Sequence, residues 1–181
     1  MIEGPGWTQP PLFPDDVGTV YTAPRLFPVG YDAPTSDDYY TPASVFDALG
    51  LTFDLDVAAP PGGVSWVPAD RFYDPTDDGL AQRWAGRVWM NPPYSNVTPW
   101  WRRFAAHRNG VALLPAAKSQ WLNDVWADAE AVALGAQGGE MYFVRPDNPK
   151  PLRIWFPVLF AAFGDECCRA IARLGPIRRA A

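Results

Sequence analysis

Arg87-Val88-Trp89-Met90-Asn91-Pro92-Pro93-Tyr94-Ser95 is the stretch on which the fold turns. Val88, Trp89 and Met90 are apolar with no turn residue among them, so they read as a buried strand. Asn91-Pro92-Pro93 ends that strand abruptly. Proline lacks the N–H for the next ladder bond and fixes φ, so two in a row force an extended turn. A polar amide, an exposed carbonyl and an aromatic ring are thereby held at the tip of a rigid strand. In an open α/β sheet, ligands bind at the C-terminal strand ends.

The same residues have a chemical reading. The exocyclic amine of adenine is a poor nucleophile, because its lone pair is delocalised into the ring. Two acceptors bonded to its two hydrogens favour the tetrahedral geometry that frees the lone pair. The Asn91 side-chain oxygen and the Pro92 carbonyl can be those acceptors. Pro93 stiffens the loop, and Tyr94 can stack on a base rotated out of a duplex. Asn and Pro are equally at home in an ordinary strand-to-loop turn.

At 181 residues, 48% hydrophobic and 14% aromatic, the chain can build one domain with a substantial core. Its longest apolar run, 154–163, contains Pro157 and is too short to cross a membrane. The N-terminus lacks the basic-then-apolar pattern of a secretory signal. Cys167 and Cys168 are adjacent, a spacing that suits neither a disulfide nor a metal. They read as reduced thiols of a cytoplasmic protein. His107, the only histidine, cannot alone build a zinc site or a Ser-His-Asp triad and reads as surface. No metal site is expected.

Charge is divided unevenly. The net charge is −5, but up to Leu80 there are 13 acidic and 2 basic residues, and from Ala81 onward 13 basic and 7 acidic. The basic half could follow a phosphate backbone. Lys118 falls just after the 111–115 run, and Arg145, Lys150 and Arg153 flank a Pro146-Asp147-Asn148-Pro149 loop that could enter a groove. These four are the candidate DNA contacts. A solvated surface would account for the same charges.

Residues 1–35 are rich in Pro and Gly and lack periodicity, so they read as an irregular arm before a domain over 36–181. Thr41 and Pro42 predict an N-cap and first helical residue, with Val45, Phe46 and Leu49 as the apolar stripe and Gly50 as the stop. Phe53, Leu55 and Val57 alternate with Asp54 and Asp56, which predicts a strand over 52–59. Pro60-Pro61-Gly62-Gly63 follows it, not the Gly-x-Gly of a dinucleotide loop. A loop over 66–76 and a short helix over 77–84 lead to the Val88 strand. A helix capped by Thr98 runs to Arg108, with Trp100, Trp101, Phe104 and Ala105 as its buried face. A buried strand at 111–115 is expected to lie parallel to the Val88 strand. Then come a helix from Ser119 to Asp128, strands at 131–134, 141–144 and 154–163, and a closing helix at 165–174. Alternating strands and helices predict an α/β three-layer sandwich with a mostly parallel central sheet.

Together these pieces resemble the phage-encoded DNA N6-adenine methyltransferases of the Dam type. The matching text is Tyr40-Thr41-Pro42, Phe53-Asp54-Leu55-Asp56 with Ala58 and Ala59, Asp78-Gly79-Leu80 with Trp84, Asn91-Pro92-Pro93-Tyr94-Ser95, and Gly110 to Pro115. It covers about residues 36–163. The resemblance implies a Rossmann-like fold that uses S-adenosylmethionine to methylate adenine in DNA, in the host cytoplasm if phage-encoded. It places Tyr40, Thr41, Pro42, Asp54, Asp56, Ala58 and Asp78 at the cofactor. Thr41 and Pro42 would lie near the methionine carboxylate, Asp56 near the amino group, and Ala58 along the approach. The ribose ligand stays open among Asp74, Asp77 and Asp78. Asn91, Pro92, Pro93 and Tyr94 would form the catalytic loop.

Two other functions fit the same motif. A glutamine amide or an RNA adenine poses the same lone-pair problem to a methyltransferase. An inactive methyltransferase-like module could instead only bind nucleic acid.

Overall fold

Val88–Met90 is strand β2, buried along its whole length as the apolar run predicts. The computed structural model describes residues 37, 39–117, 119–135, 142–145, 148–153 and 157–180. All of them belong to the second of two units, Pro34–Ala181. The 1–35 arm and Lys118 lie outside the described residues, as do the side chains of Arg145, Lys150 and Arg153.

The order is α1 (Ala43–Leu49), β1 (Leu55–Asp56), β2, α2 (Val97–His107), β3 (Gly110–Pro115), α3 (Gln120–Asp128), β4 (Ala131–Leu134), β5 (Tyr142–Arg145), β6 (Asn148–Arg153), β7 (Val158–Phe163), α4 (Asp165–Ile171) and β8 (Ile177–Arg179). Six strands form one sheet, ordered β1-β2-β3-β7-β4-β8, and β5 and β6 form a separate ribbon.

β1, β2 and β3 are parallel, with Val88 opposite both Leu55 and Gly110. Helix α2 makes the crossover between β2 and β3, as a parallel pair requires. From β3 onward the pairings with β7, β4 and β8 are antiparallel. The expectation of a mostly parallel sheet therefore holds for its first three strands and not for the rest. β4 and β7 are two legs on either side of the β5–β6 ribbon, and such a return needs no crossover helix.

Sheet residues feed two core clusters. Trp89, Val111, Leu113, Ala131, Ala133, Phe160 and Ala162 pack with residues of α1 and α4. Val88, Met90, Ala112, Leu114, Val132, Leu159, Ala161 and Phe163 pack with residues of α2 and α3. Consecutive residues of each strand alternate between the clusters, which is why the strands read as unbroken apolar runs. Trp89 packs edge-on against Phe46 at 4.8 Å between centroids and tilted against Phe53 at 5.6 Å. Burying one such ring stabilises by about 1.5–3 kcal/mol.

Several sequence expectations are corrected. β1 is only two residues long, because the chain bends at Asp54 and breaks the alternation. Phe53 joins the first cluster, whereas Leu55 and Val57 join the second. Residues 77–84 form turns, not a helix. Asp78 takes a left-handed φ of 53°, which a helix does not accommodate. Pro42, not Thr41, precedes α1 as its cap, and a turn of 3-10 helix at Tyr94–Asn96 makes Asn96, not Thr98, the cap of α2. The Pro-rich segment from Asn148 is a strand. Pro149 and Pro151 are two apart, so their missing donors fall on one edge, tolerable in a two-stranded ribbon. β8 carries Arg178 and Arg179, and charge hid it from an apolar search. His107 is half-buried, with its Nε2 2.8 Å from the Gly86 carbonyl oxygen. Cys167 and Cys168 are free, and both are buried.

Candidate active site

Beyond β1 and β2 the chain ends lie side by side: Val57 N–H donates to the Trp89 carbonyl at 3.0 Å. Asn91 follows directly, so the strand tip and the Asp56-Val57-Ala58 turn share one floor. Ala58 and Ala59 leave space above it. A cavity of about 280 Å³ opens there, lined by Asp56, Ala58, Trp89, Asn91 and Pro93 together with Asp37, Tyr39, Tyr40 and Thr41. Pro60, Val64 and Val67 of the following loop close it further.

Three polar groups lining this cavity have fewer partners among the described residues than burial demands. Asn91 donates its Nδ2 to the Tyr39 carbonyl at 3.3 Å. Its Oδ1 is buried with no bond partner among the described residues. The Thr41 hydroxyl is also buried and has no partner among them. Asp56 is 4% exposed and accepts one bond, from Ala58 N–H at 3.1 Å. No ion pair to it occurs among the described residues. Burial pushes its carboxyl up to about 7, against the Ala58 bond that pulls it down.

A second cavity, of about 210 Å³, adjoins the first through Ala58, Ala59, Pro75 and Pro93. Asp74, Asp78, Gly79, Tyr73 and Trp100 complete it. Its shape depends on Gly79, where a Cβ would stand 2.2 Å from the Val57 carbonyl oxygen. Trp84 Nε1 donates to the Gly79 carbonyl at 2.8 Å, and Arg103 donates to the carbonyls of Leu80 and Gln82. This accounts for the spacing of Asp78-Gly79-Leu80 and Trp84. Of the three acidic candidates here, Asp74 is held below the usual carboxylate range by the Thr76 hydroxyl and by the N–H groups of Gly62 and Thr76. Asp77 accepts from Asp74 N–H at 3.0 Å and does not line the cavity. Asp78 does line it.

Tyr40, Thr41, Asp56, Ala58, Asn91 and Pro93 thus meet at the first cavity, and Asp78 lies at the second. Pro42, Pro92 and Tyr94 line neither. The Tyr94 hydroxyl is buried, and burial raises it above an ordinary phenol. Asp54 lies elsewhere: its carboxylate accepts from Arg87 N–H at 2.6 Å, beside Thr52, Asp70 and Asn109. The bend that shortens β1 is what parts it from Asp56. Sequence reasoning missed Asp37, whose carboxylate accepts from Ser95 N–H at 3.1 Å and Ser95 Oγ at 2.7 Å. It also missed Trp66, whose Nε1 donates to the Thr41 carbonyl at 2.8 Å. Both pairings join residues far apart in the chain, and no local signal marks them.

The family model for DNA N-6-adenine-methyltransferase (Dam) matches residues 31–153. The chain belongs to the Dam family. It is a DNA adenine N6-methyltransferase, and the match spans both cavity walls, from Asp37 to Trp100. No curated protein and no solved structure matches the chain. As a Dam-family enzyme it needs a methyl donor and a DNA substrate. No helix among the described residues is long and apolar enough to cross a membrane.

Proposed function

We propose that the joined cavities bind S-adenosylmethionine and that Asn91 presents adenine to it. The observation that carries this reading is the buried Asn91 Oδ1, without a partner among the described residues, in a residue that lines one cavity with Thr41 and Asp56. A zwitterionic amino-acid end suits that cavity: Asp56 would hold its ammonium group, and the Thr41 hydroxyl, with Tyr40 and Pro42 beside it, its carboxylate. The adenosine end would lie in the second cavity against Pro93 and Trp100. Asp78 would bond the ribose, since Asp74 is already engaged and Asp77 does not line the cavity.

When bound, the cofactor supplies an electrophilic methyl group. The chain's own work is on the acceptor. Asn91 Oδ1 and the Pro92 carbonyl accept the two hydrogens of the adenine amine and turn its lone pair toward the cavity. Tyr39 fixes which end of the Asn91 amide faces the amine. Tyr94, with its hydroxyl buried, offers its ring to the flipped base. The core supports a Rossmann-like, three-layer methyltransferase fold, with helices on both faces of the sheet. In this reading residues 36–181 form the methyltransferase domain, and 1–35 a Pro- and Gly-rich N-terminal arm. DNA would run along the basic half through Lys118, Arg145, Lys150 and Arg153. An enzyme of this kind with reduced cysteines would work in the cytoplasm.

The test is to digest DNA from cells expressing the protein and measure nucleosides by mass spectrometry. N6-methyladenine above the empty-vector level supports the reading. Its absence, with N6-methyladenine in RNA or methylated glutamine in protein instead, would move the substrate.

A further inference from the structure

The catalytic loop is tied to one neighbouring segment at both of its ends. At the start, the Asn91 amide donates to the Tyr39 carbonyl at 3.3 Å. At the finish, Ser95 donates its N–H at 3.1 Å and its hydroxyl at 2.7 Å to the two oxygens of Asp37. Asp37 and Tyr39 are two residues apart, so Pro92, Pro93 and Tyr94 are strung between two anchors on one strap. The strap is itself fixed. Tyr40 and Val144 exchange backbone bonds of 2.8 and 3.0 Å, and Trp66 holds the Thr41 carbonyl. Prolines set the loop's internal shape, but they give it no donors with which to fix its pose.

We propose that Asp37 is a positioning residue for methyl transfer: by clamping Ser95 it sets the pose of the loop that presents Asn91. The inference rests on the active-site reading above. A carboxylate accepting two bonds from one residue fixes direction as well as distance. The contact is exposed, so its contribution is to geometry more than to stability. Misplacing a reacting group by about 1 Å costs up to about 10²-fold in rate.

Asp37→Ala, Ser95→Ala, Ser95→Thr and the Asp37→Ala/Ser95→Ala double variant are assayed for kcat, for KM toward S-adenosylmethionine, and for Tm. The proposal expects Asp37→Ala to lower kcat about tenfold to 10²-fold, well beyond any change in KM, with Tm unchanged. Ser95→Ala, which keeps the backbone bond, should lose less, and Ser95→Thr should restore wild-type kcat. The double variant should lose no more than Asp37→Ala alone. Wild-type kcat in Asp37→Ala, or losses that multiply in the double variant, would overturn the clamp. A matched fall in Tm and kcat that Ser95→Thr fails to rescue would overturn it too. If Asp37→Ala does not fold, Ser95→Ala against Ser95→Thr decides alone. A wild-type protein without methyl transfer would overturn the reading on which the clamp rests.

Discussion

Asn91 Nδ2 donates to the carbonyl oxygen of Tyr39 at 3.3 Å, so the amide's nitrogen is engaged there and its oxygen is left without a partner among the described residues. A carboxylate has no donor for that carbonyl. Asn91→Asp therefore sets two acceptors against each other. We expect a loss of about tenfold in kcat, the scale of one lost hydrogen bond. Steady-state kinetics on a DNA substrate checks this, and unimpaired turnover would show that Tyr39 does not orient the side chain.

Asp56 makes stability depend on pH in a defined direction. Its carboxyl is raised in the folded protein from an ordinary 3.8 to about 7. The folded state therefore binds the proton more tightly than the unfolded state. The stability this group contributes is complete below the unfolded value and is lost as pH rises through about 7. The loss is on the order of a few kcal/mol. Without ligand, Asp56→Asn should melt higher than wild type at pH 8, with the gap closing toward pH 5. Paired thermal scans at the two pH values test the sign.

The same carboxylate should reverse its effect when the cofactor binds. A bound ammonium group favours the ionised form, so binding releases a proton near neutral pH. Wild-type affinity for S-adenosylmethionine should rise from pH 5.5 to pH 7. In Asp56→Asn it should fall by roughly 1.5–3 kcal/mol and lose that slope. Calorimetry in buffers of different ionisation enthalpy reads the proton directly.

Gly79 leaves no room for a side chain beside the Val57 carbonyl. Gly79→Ala must push the turn away from β1 and open the second cavity. The expected cost is about 1–3 kcal/mol in stability, in the range of overpacking, together with weaker cofactor binding. Chemical denaturation and cofactor titration of the variant measure both.

Much of this was legible in advance, for identifiable reasons. β2 and β3 read correctly because both of their faces are buried, so their apolar runs were unbroken. Asn91, Asp56 and Thr41, which meet at one cavity, stood out because the motifs around them are contiguous. The failures are equally physical. Asp54 looked equivalent to Asp56 until a backbone bend separated them. The turns at 77–84 looked helical because a left-handed Asp78 leaves no mark in composition. β6 and β8 escaped because prolines and arginines are tolerated where only one edge is paired. Asp37 and Trp66 act through contacts across the chain, which spacing cannot reveal.

The basic half offers a test of the DNA path. If Lys118 and Arg145 each neutralise a phosphate, replacing both with Ala should flatten the slope of log affinity against log salt by about 2. Cofactor affinity should be untouched. An unchanged slope would take the DNA across another face.

Single-turnover methyl transfer by Asn91→Ala, at saturating S-adenosylmethionine and DNA, tests the central claim most directly. The account predicts a rate lower by about 10²–10³, by analogy with the loss of one preorganised polar contact. Cofactor affinity and Tm should match wild type. A wild-type rate from a folded, cofactor-bound Asn91→Ala protein would contradict the assignment of this strand tip as the catalytic centre.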